Sequence, residues 1–230
     1  MSGIPMKSSV RGAGRKRPFV IGLTGPIASG KSTVAALLQE RGALVIDADQ
    51  VYRSLLHPGS GLWERIVARF GQGVVASGRQ IDRAALGQIV FHDPAALADL
   101  ERMTHPQVVA EVRRLIAATN AEVVVIEAVK LVESGLLDDV DSLWLVTADP
   151  EIRLCRLAAS RGLSEEEARA RLGASLHVAE PDATVDILIE NSGDMSLVTR
   201  AVADAWDAVV APAARSNLEP VATAAAKETP

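Results

Sequence analysis

Hydrophobic residues along this chain fall into two rhythms. An unbroken apolar run over Pro18 to Leu23 predicts a strand buried on both faces. It stops at a glycine-bounded loop, after which Val34, Leu37 and Leu38 follow with the 3, 4 spacing of a helix packed on a sheet. Ala43 to Ile46 predicts a second strand, whose end carries Asp47, Ala48 and Asp49. From Gln50 to Thr119 the period is helical, through Val51, Leu55, Leu62, Ile66, Phe70, Leu86, Ile89 and Val90. Glycines at 59–61 and 71–78 are the breaks in it, and Pro94 and Pro106 are read as helix starts. Glu122 to Glu127, Leu143 to Thr147 and Val185 to Ile189 are three further strands, and Leu197 to Val209 is a closing amphipathic helix. Between the last two strands Pro150 opens one helix, and Ser164 with Glu167 forms the capping box of another. Five strands alternating with helices predict an α/β fold, a parallel sheet with helices on both faces and a helical insertion after the second strand.

The first loop carries the chemistry. Gly25, Gly30, Lys31 and Ser32 fill the fixed positions of G-x-x-x-x-G-K-[ST], whose backbone N–H groups wrap a nucleotide β-phosphate. The glycines permit a close backbone approach, and Lys31 reaches the β and γ oxygens. Ser32 is the expected magnesium ligand through its hydroxyl. The helix after Gly30 points its N-terminal N–H groups and dipole at the same phosphates. A strand before the loop and a helix after it are the context this motif requires, so the fold is expected to be of the P-loop NTPase type.

Other polar residues gather at strand ends. At the end of the extended second strand, at most one of Asp47 and Asp49 is expected to face the nucleotide, while the other caps the next helix or touches the metal shell. Arg153 and Arg156 share a helix face at i, i+3 spacing, with Arg161 at the helix end. Pairing with nearby glutamates explains such a cluster weakly, because exposed pairs contribute only about 0 to 1 kcal/mol. A cationic lid over a triphosphate explains it better.

Bulk properties narrow the partners. The 230 residues have a formal net charge of −5, so nothing marks the chain as a nucleic-acid binder. Cys155 is the one cysteine, which rules out an internal disulfide and a cysteine metal cluster. Its helical surroundings suggest a buried or inert thiol, and a reducing cytosol fits. No stretch approaches the roughly 20 apolar residues that span a bilayer. Residues 1–17 read as a flexible leader without the apolar centre of a signal peptide, and 213–230 as a frayed tail.

The phosphate loop, the Asp47-Ala48-Asp49 segment, Asp82-Arg83-Ala84-Ala85-Leu86 with Val90-Phe91, His105-Pro106 and Glu190-Asn191-Ser192-Gly193-Asp194 occur here in one order. In that combination, over about Val20 to Val209, the chain resembles the dephospho-coenzyme A kinases. The resemblance implies transfer of the γ-phosphoryl group of ATP, with Mg2+, to the ribose 3′-hydroxyl of dephospho-coenzyme A in the cytoplasm. It implies Asp49 as the base for the acceptor hydroxyl and Lys31 and Arg156 as the catalytic cations. Gly25, Ile27, Ala28, Ser29, Gly30, Lys31, Ser32 and Thr33 would hold the nucleotide phosphates, with the turn Asn191, Ser192 and Gly193 against the adenine. Asp82, Arg83, His105 and Glu127 would bind the acceptor together with Asp49. The implied organisation is a nucleotide-binding core at 18–58 and 118–212, a lid at about 150–182 and an acceptor-binding insertion at 59–117. A monomer or weak homo-oligomer is expected, with no membrane or nucleic-acid partner.

Four positions depart from the family pattern. Pro26 stands at the second loop position, where glycine is usual, and removes one N–H from the cradle. The stretch after the third strand reads Glu127-Ala128-Val129-Lys130-Leu131-Val132-Glu133, without the usual proline and with an added lysine. Val109 stands where an arginine commonly follows His-Pro, with Arg113 nearby. Ser160-Arg161 replaces an Arg-Asp pair. Two other readings compete. One is a P-loop kinase for a small sugar acid, which the long helical region disfavours. The other is a nucleotide-binding regulatory module without turnover, prompted by Pro26 and Lys130.

Overall fold

The strands at the centre of this protein alternate sides. The computed structural model describes residues 17–132, 134–174 and 185–210. The expected leader up to residue 16, Glu133, the lid's last residues at 175–182 and the tail at 213–230 lie outside the described residues. Five parallel strands form one sheet in the order β2-β3-β1-β4-β5: β1 (Phe19–Thr24), β2 (Leu44–Asp47), β3 (Val123–Glu127), β4 (Ser142–Thr147) and β5 (Ile187–Glu190). Ile21 and Leu23 of β1, Val123 and Val125 of β3 and Trp144 and Val146 of β4 enter one hydrophobic cluster. Val20, Val124, Ile126 and Leu143 enter another on the opposite face. Continuous apolar strands of this kind need cover on both sides, and helices supply it.

Helices α1 (Lys31–Glu40) and α8 (Met195–Ala205) cover the first face through Val34, Leu38, Val198 and Val202. The chain continues past α8 as one turn of π-helix at Trp206–Val210. Helices α2 (Ala48–Leu55) and α5 (Pro94–Ala118) cover the second face through Val51, Val108, Val109 and Val112. The helical region between them, α3 (Gly61–Phe70), α4 (Arg83–His92) and the first half of α5, has a core of its own in Leu56, Leu62, Ile66, Val74, Leu86 and Met103. Helices α6 (Pro150–Arg161) and α7 (Glu165–Ala174) pack through Leu154, Leu157 and Ala168 onto Ile27 and Ala28 of the phosphate loop. Among the described residues no helix is long and apolar enough to cross a membrane.

Local chemistry sets most of the boundaries. Ser60, Asp82, Asp93, Asp149 and Asp194 each accept a backbone N–H at a helix start, and Ser164 and Glu167 exchange the two bonds of a capping box. Three expectations are corrected. Pro106 does not start a helix but lies inside the 25-residue α5. Asp49 is not on extended chain, because helix α2 begins at Ala48. Cys155 is exposed, since the inner face of α6 is taken by Leu154 and Leu157.

Candidate active site

The site begins with backbone conformations that side chains resist. Gly25 has φ +152 and Gly30 φ +92, and between them Ala28 has φ +61, a left-handed value uncommon outside glycine. A β-carbon at Gly25 would sit 2.2 Å from the Val146 carbonyl oxygen, so β4 closes off the loop from beneath. One at Gly30 would sit 1.9 Å from Asn191 Nδ2 and 3.6 Å from Arg156 Nη1. The loop is held by donors on its carbonyls. Lys31 Nζ donates to the Gly25 and Pro26 carbonyls at 2.9 and 3.2 Å. Asn191 Nδ2 donates to the Ser29 carbonyl at 2.8 Å, and Arg153 Nε to the Ile27 carbonyl at 3.0 Å. Pro26, which lacks an N–H, still accepts the Ser29 N–H at 3.2 Å and so closes a turn inside the loop.

Three polar atoms around this loop are buried without a hydrogen-bond partner among the described residues: Ser29 Oγ, Arg156 Nη1 and Asn191 Oδ1. Buried polar atoms ordinarily find partners, and orphans concentrated around a glycine cradle fit a polar ligand there. A polyphosphate chain suits the set, since the helix dipole of α1, Lys31 and the buried Nη1 of Arg156 all favour negative charge.

The acids converge from neighbouring strands. Asp47 and Glu127 are register partners at the ends of β2 and β3, and Glu127 also pairs with Leu23 of β1. Asp47 caps α2 by accepting the Asp49 and Gln50 N–H groups at 2.8 and 3.1 Å. Asp47 is thus the cap, and Asp49 is exposed in the first turn of α2. Burial lowers the Lys31 pKa, while Glu127 and then Asp49 act on it in the opposite sense. Burial raises the Glu127 pKa, with Lys31 opposing the shift and Asp47 and Asp49 adding to it. Lysine and acids thus share one electrostatic field at the C-terminal rim of the sheet, where parallel α/β folds place their ligands.

Ser32 is exposed on the first turn of α1 and Thr33 half-buried beside it. Among the described residues no group of three acidic, histidine or cysteine side chains forms a metal cage. Magnesium seldom uses one, taking one or two protein oxygens and the rest from phosphates and water, so a single hydroxyl beside the phosphate loop fits it.

The remaining candidates scatter in what they do. Asp82 caps α4 through Oδ1, which accepts the Ala84 and Ala85 N–H groups at 2.9 and 3.0 Å. Arg83 is exposed next to it, and its charge reaches Tyr52 on α2. His105 is half-buried on α5. Asn191 is 2% exposed with its amide turned under the loop. The Ser192 hydroxyl accepts the Asp149 N–H at 2.6 Å and donates to Glu190, tying β5 to the start of α6. Gly193 is exposed in the same turn. The side chain of Arg161 lies outside the described residues.

Two departures acquire structural meaning. Lys130 is ion-paired with Glu101 on α5. Arg113 does not turn toward the site left by Val109, because its Nε donates to Asp139 at 2.8 Å while Val109 is buried in the core. Sequence reasoning missed the loop-supporting bonds of Asn191 and Arg153. Both residues were named, but a side chain reaching a carbonyl 162 or 126 positions away leaves no periodic trace.

Known proteins with this arrangement agree on a family. The dephospho-CoA kinase family model matches residues 19–196. A dephospho-CoA kinase from Symbiobacterium thermophilum is 45% identical over 192 residues, 82% of this chain and 80% of its own. One from Geobacter sulfurreducens is 41% identical over 194 residues, 81% of this chain and 96% of its own. A crystal structure from Thermus thermophilus superposes with a TM-score of 0.72 at 34% identity, covering 84% of this chain and 99% of that one. A dephospho-CoA kinase from Campylobacter jejuni gives a TM-score of 0.60 at 25% identity, over 86% and 98%. With the matched region running from the first strand into the last helix, the chain belongs to the dephospho-CoA kinase family.

Proposed function

We propose that this protein transfers the γ-phosphoryl group of ATP to the ribose 3′-hydroxyl of dephospho-CoA, giving CoA and ADP. One observation carries the reading: a phosphate-loop lysine in a shared field with Asp49 and Glu127, in a chain of this family. Phosphoryl transfer asks little covalent chemistry of a protein and much positioning and charge neutralisation. Lys31 and the first N–H groups of α1 neutralise the polyphosphate, with Gly25, Ile27, Ala28, Ser29, Gly30 and Thr33 shaping the cradle. Arg156, with a buried and unpartnered Nη1 beside Gly30, spreads the charge that develops on the transferred group. Asp49 orients the acceptor hydroxyl and takes its proton. Glu127, half-buried and within the field of both Lys31 and Asp49, holds the acceptor side in register. Ser32 would hold Mg2+, which supplies charge stabilisation to the β and γ oxygens.

The helical region 59–117 is the acceptor domain of this reading, with Asp82, Arg83 and His105 facing the nucleotide and pantetheine arm. The turn Asn191 to Gly193 carries the adenine through its backbone, since Asn191 Nδ2 is engaged by the Ser29 carbonyl. The lid spans about 150–182. The protein works in the cytoplasm as a monomer or weak homo-oligomer, which size-exclusion chromatography with light scattering would measure. A coupled ADP-release assay over a panel of acceptors, with mass detection of an added phosphate, tests the whole. Stimulation by dephospho-CoA is the expected result. Stimulation by a sugar acid alone, or tight ATP binding with no product, would replace it with one of the two competing readings.

A further inference from the structure

Four carbonyls of the phosphate loop, those of Gly25, Pro26, Ile27 and Ser29, each accept a side-chain donor. A loop whose carbonyls are tied to surrounding donors presents its N–H groups toward the concave side, the geometry that binds anions. Three of those carbonyls are served from outside the lid, by Lys31 at the start of α1 and Asn191 just after β5. The Ile27 carbonyl alone is served by the lid, through Arg153 of α6 at 3.0 Å. The same helix grips the same segment a second time, because Leu154 and Leu157 pack with Ile27 and Ala28 in one hydrophobic cluster. Ala28 sits in the left-handed region, where a residue with a β-carbon stays only if its surroundings hold it.

We infer that Arg153 is a positioning residue for phosphoryl transfer, which sets the shape of the loop at Ile27 and Ala28 and so links the placement of the lid helix to nucleotide binding. The inference rests on the kinase reading above and adds to it a residue that touches neither substrate. Arg153 differs in this from Arg156, whose unpartnered Nη1 lies beside Gly30. The charge of Arg153 also reaches Lys31, and burial makes that guanidinium less basic than usual.

Arg153→Met keeps most of the side-chain volume and removes the donor, Arg153→Gln keeps a donor without charge, and Arg153→Lys keeps both. Steady-state kcat, KM for ATP and KM for dephospho-CoA are read separately, with melting temperature as the control for folding. Losing one hydrogen bond from a charged donor predicts a rise of about tenfold in ATP KM for Arg153→Met, with acceptor KM within about twofold. Arg153→Gln then recovers ATP KM to within about threefold of the parent. ATP KM unchanged in a folded Arg153→Met overturns the inference. So does an Arg153→Gln as impaired as Arg153→Met while Arg153→Lys is normal, since that pattern assigns the residue to charge on the phosphates. If Arg153→Met does not fold, the Gln and Lys variants decide by the same comparison. If the parent fails to phosphorylate dephospho-CoA, the kinase reading falls by itself, and calorimetric ATP affinities of the parent and the three variants still decide the role of Arg153.

Discussion

The side-chain amide of Asn191 is packed against Gly30: a β-carbon at residue 30 would come within 1.9 Å of Nδ2, an atom already committed to the Ser29 carbonyl. Gly30 must also hold φ +92. Gly30→Ala therefore has to break the Asn191 bond, strain the backbone, or both, at a cost of about 1 to 3 kcal/mol in the loop. We expect ATP affinity, measured by calorimetry, to fall at least tenfold, while the sheet remains folded by circular dichroism.

Asp49 stands in the first turn of α2 with its side chain exposed, while Asp47 does the capping. Asp49→Asn should therefore leave the helix cap intact. Turnover with dephospho-CoA is expected to drop by about 10² to 10⁴ through loss of the proton acceptor, with ATP affinity within about twofold. Lys31→Ala should reduce both, and a wild-type rate in Asp49→Asn would remove that residue from the role of base.

Burial raises the Glu127 pKa above its ordinary value, so the folded protein binds that proton more tightly than the unfolded chain. Its contribution to stability is then complete below the unfolded glutamate value and is lost as pH rises through the folded value. Glu127→Gln has no such component. Urea midpoints of the two proteins are expected to be similar near pH 4, and the variant should gain on the parent as pH rises toward 7.

Lys130 and Glu101 are 53% and 32% exposed, and pairs of that kind contribute little in water. Replacing Lys130 with alanine should lower stability by no more than about 1 kcal/mol, less in high salt, and leave ATP KM within about twofold. A large kinetic effect in stopped or steady-state assays would give this lysine a role at the site instead.

The sheet was readable because its signals are local. β-branched runs such as Val123 to Ile126 and proline or serine caps mark elements within a few residues. The phosphate loop was readable for a different reason, since its spacing is a backbone requirement written in glycine and lysine. Pro106 misled the reading: proline more often opens a helix than sits inside one, but here Val108, Val109 and Val112 pack under the sheet and keep α5 going. Cys155 misled it because an apolar helical run does not say which of its faces is inside. The contacts that complete the site, Asn191 to Ser29 and Arg153 to Ile27, are products of strand order, which brings distant segments together.

Helix α5 belongs to two cores at once, with Met103 in that of the helical region and Val108 under the sheet. The frontier between them falls at Pro106, which has no N–H for the Arg102 carbonyl, and beside Thr104, whose hydroxyl donates to the Leu100 carbonyl at 2.8 Å. One of the two tethers of the helical region is thus an unbroken rod rather than a slack loop. Any tilt of that region toward the nucleotide has to flex the rod, and the weakened turn before Pro106 is where flexing costs least, a built-in pivot about midway along the helix.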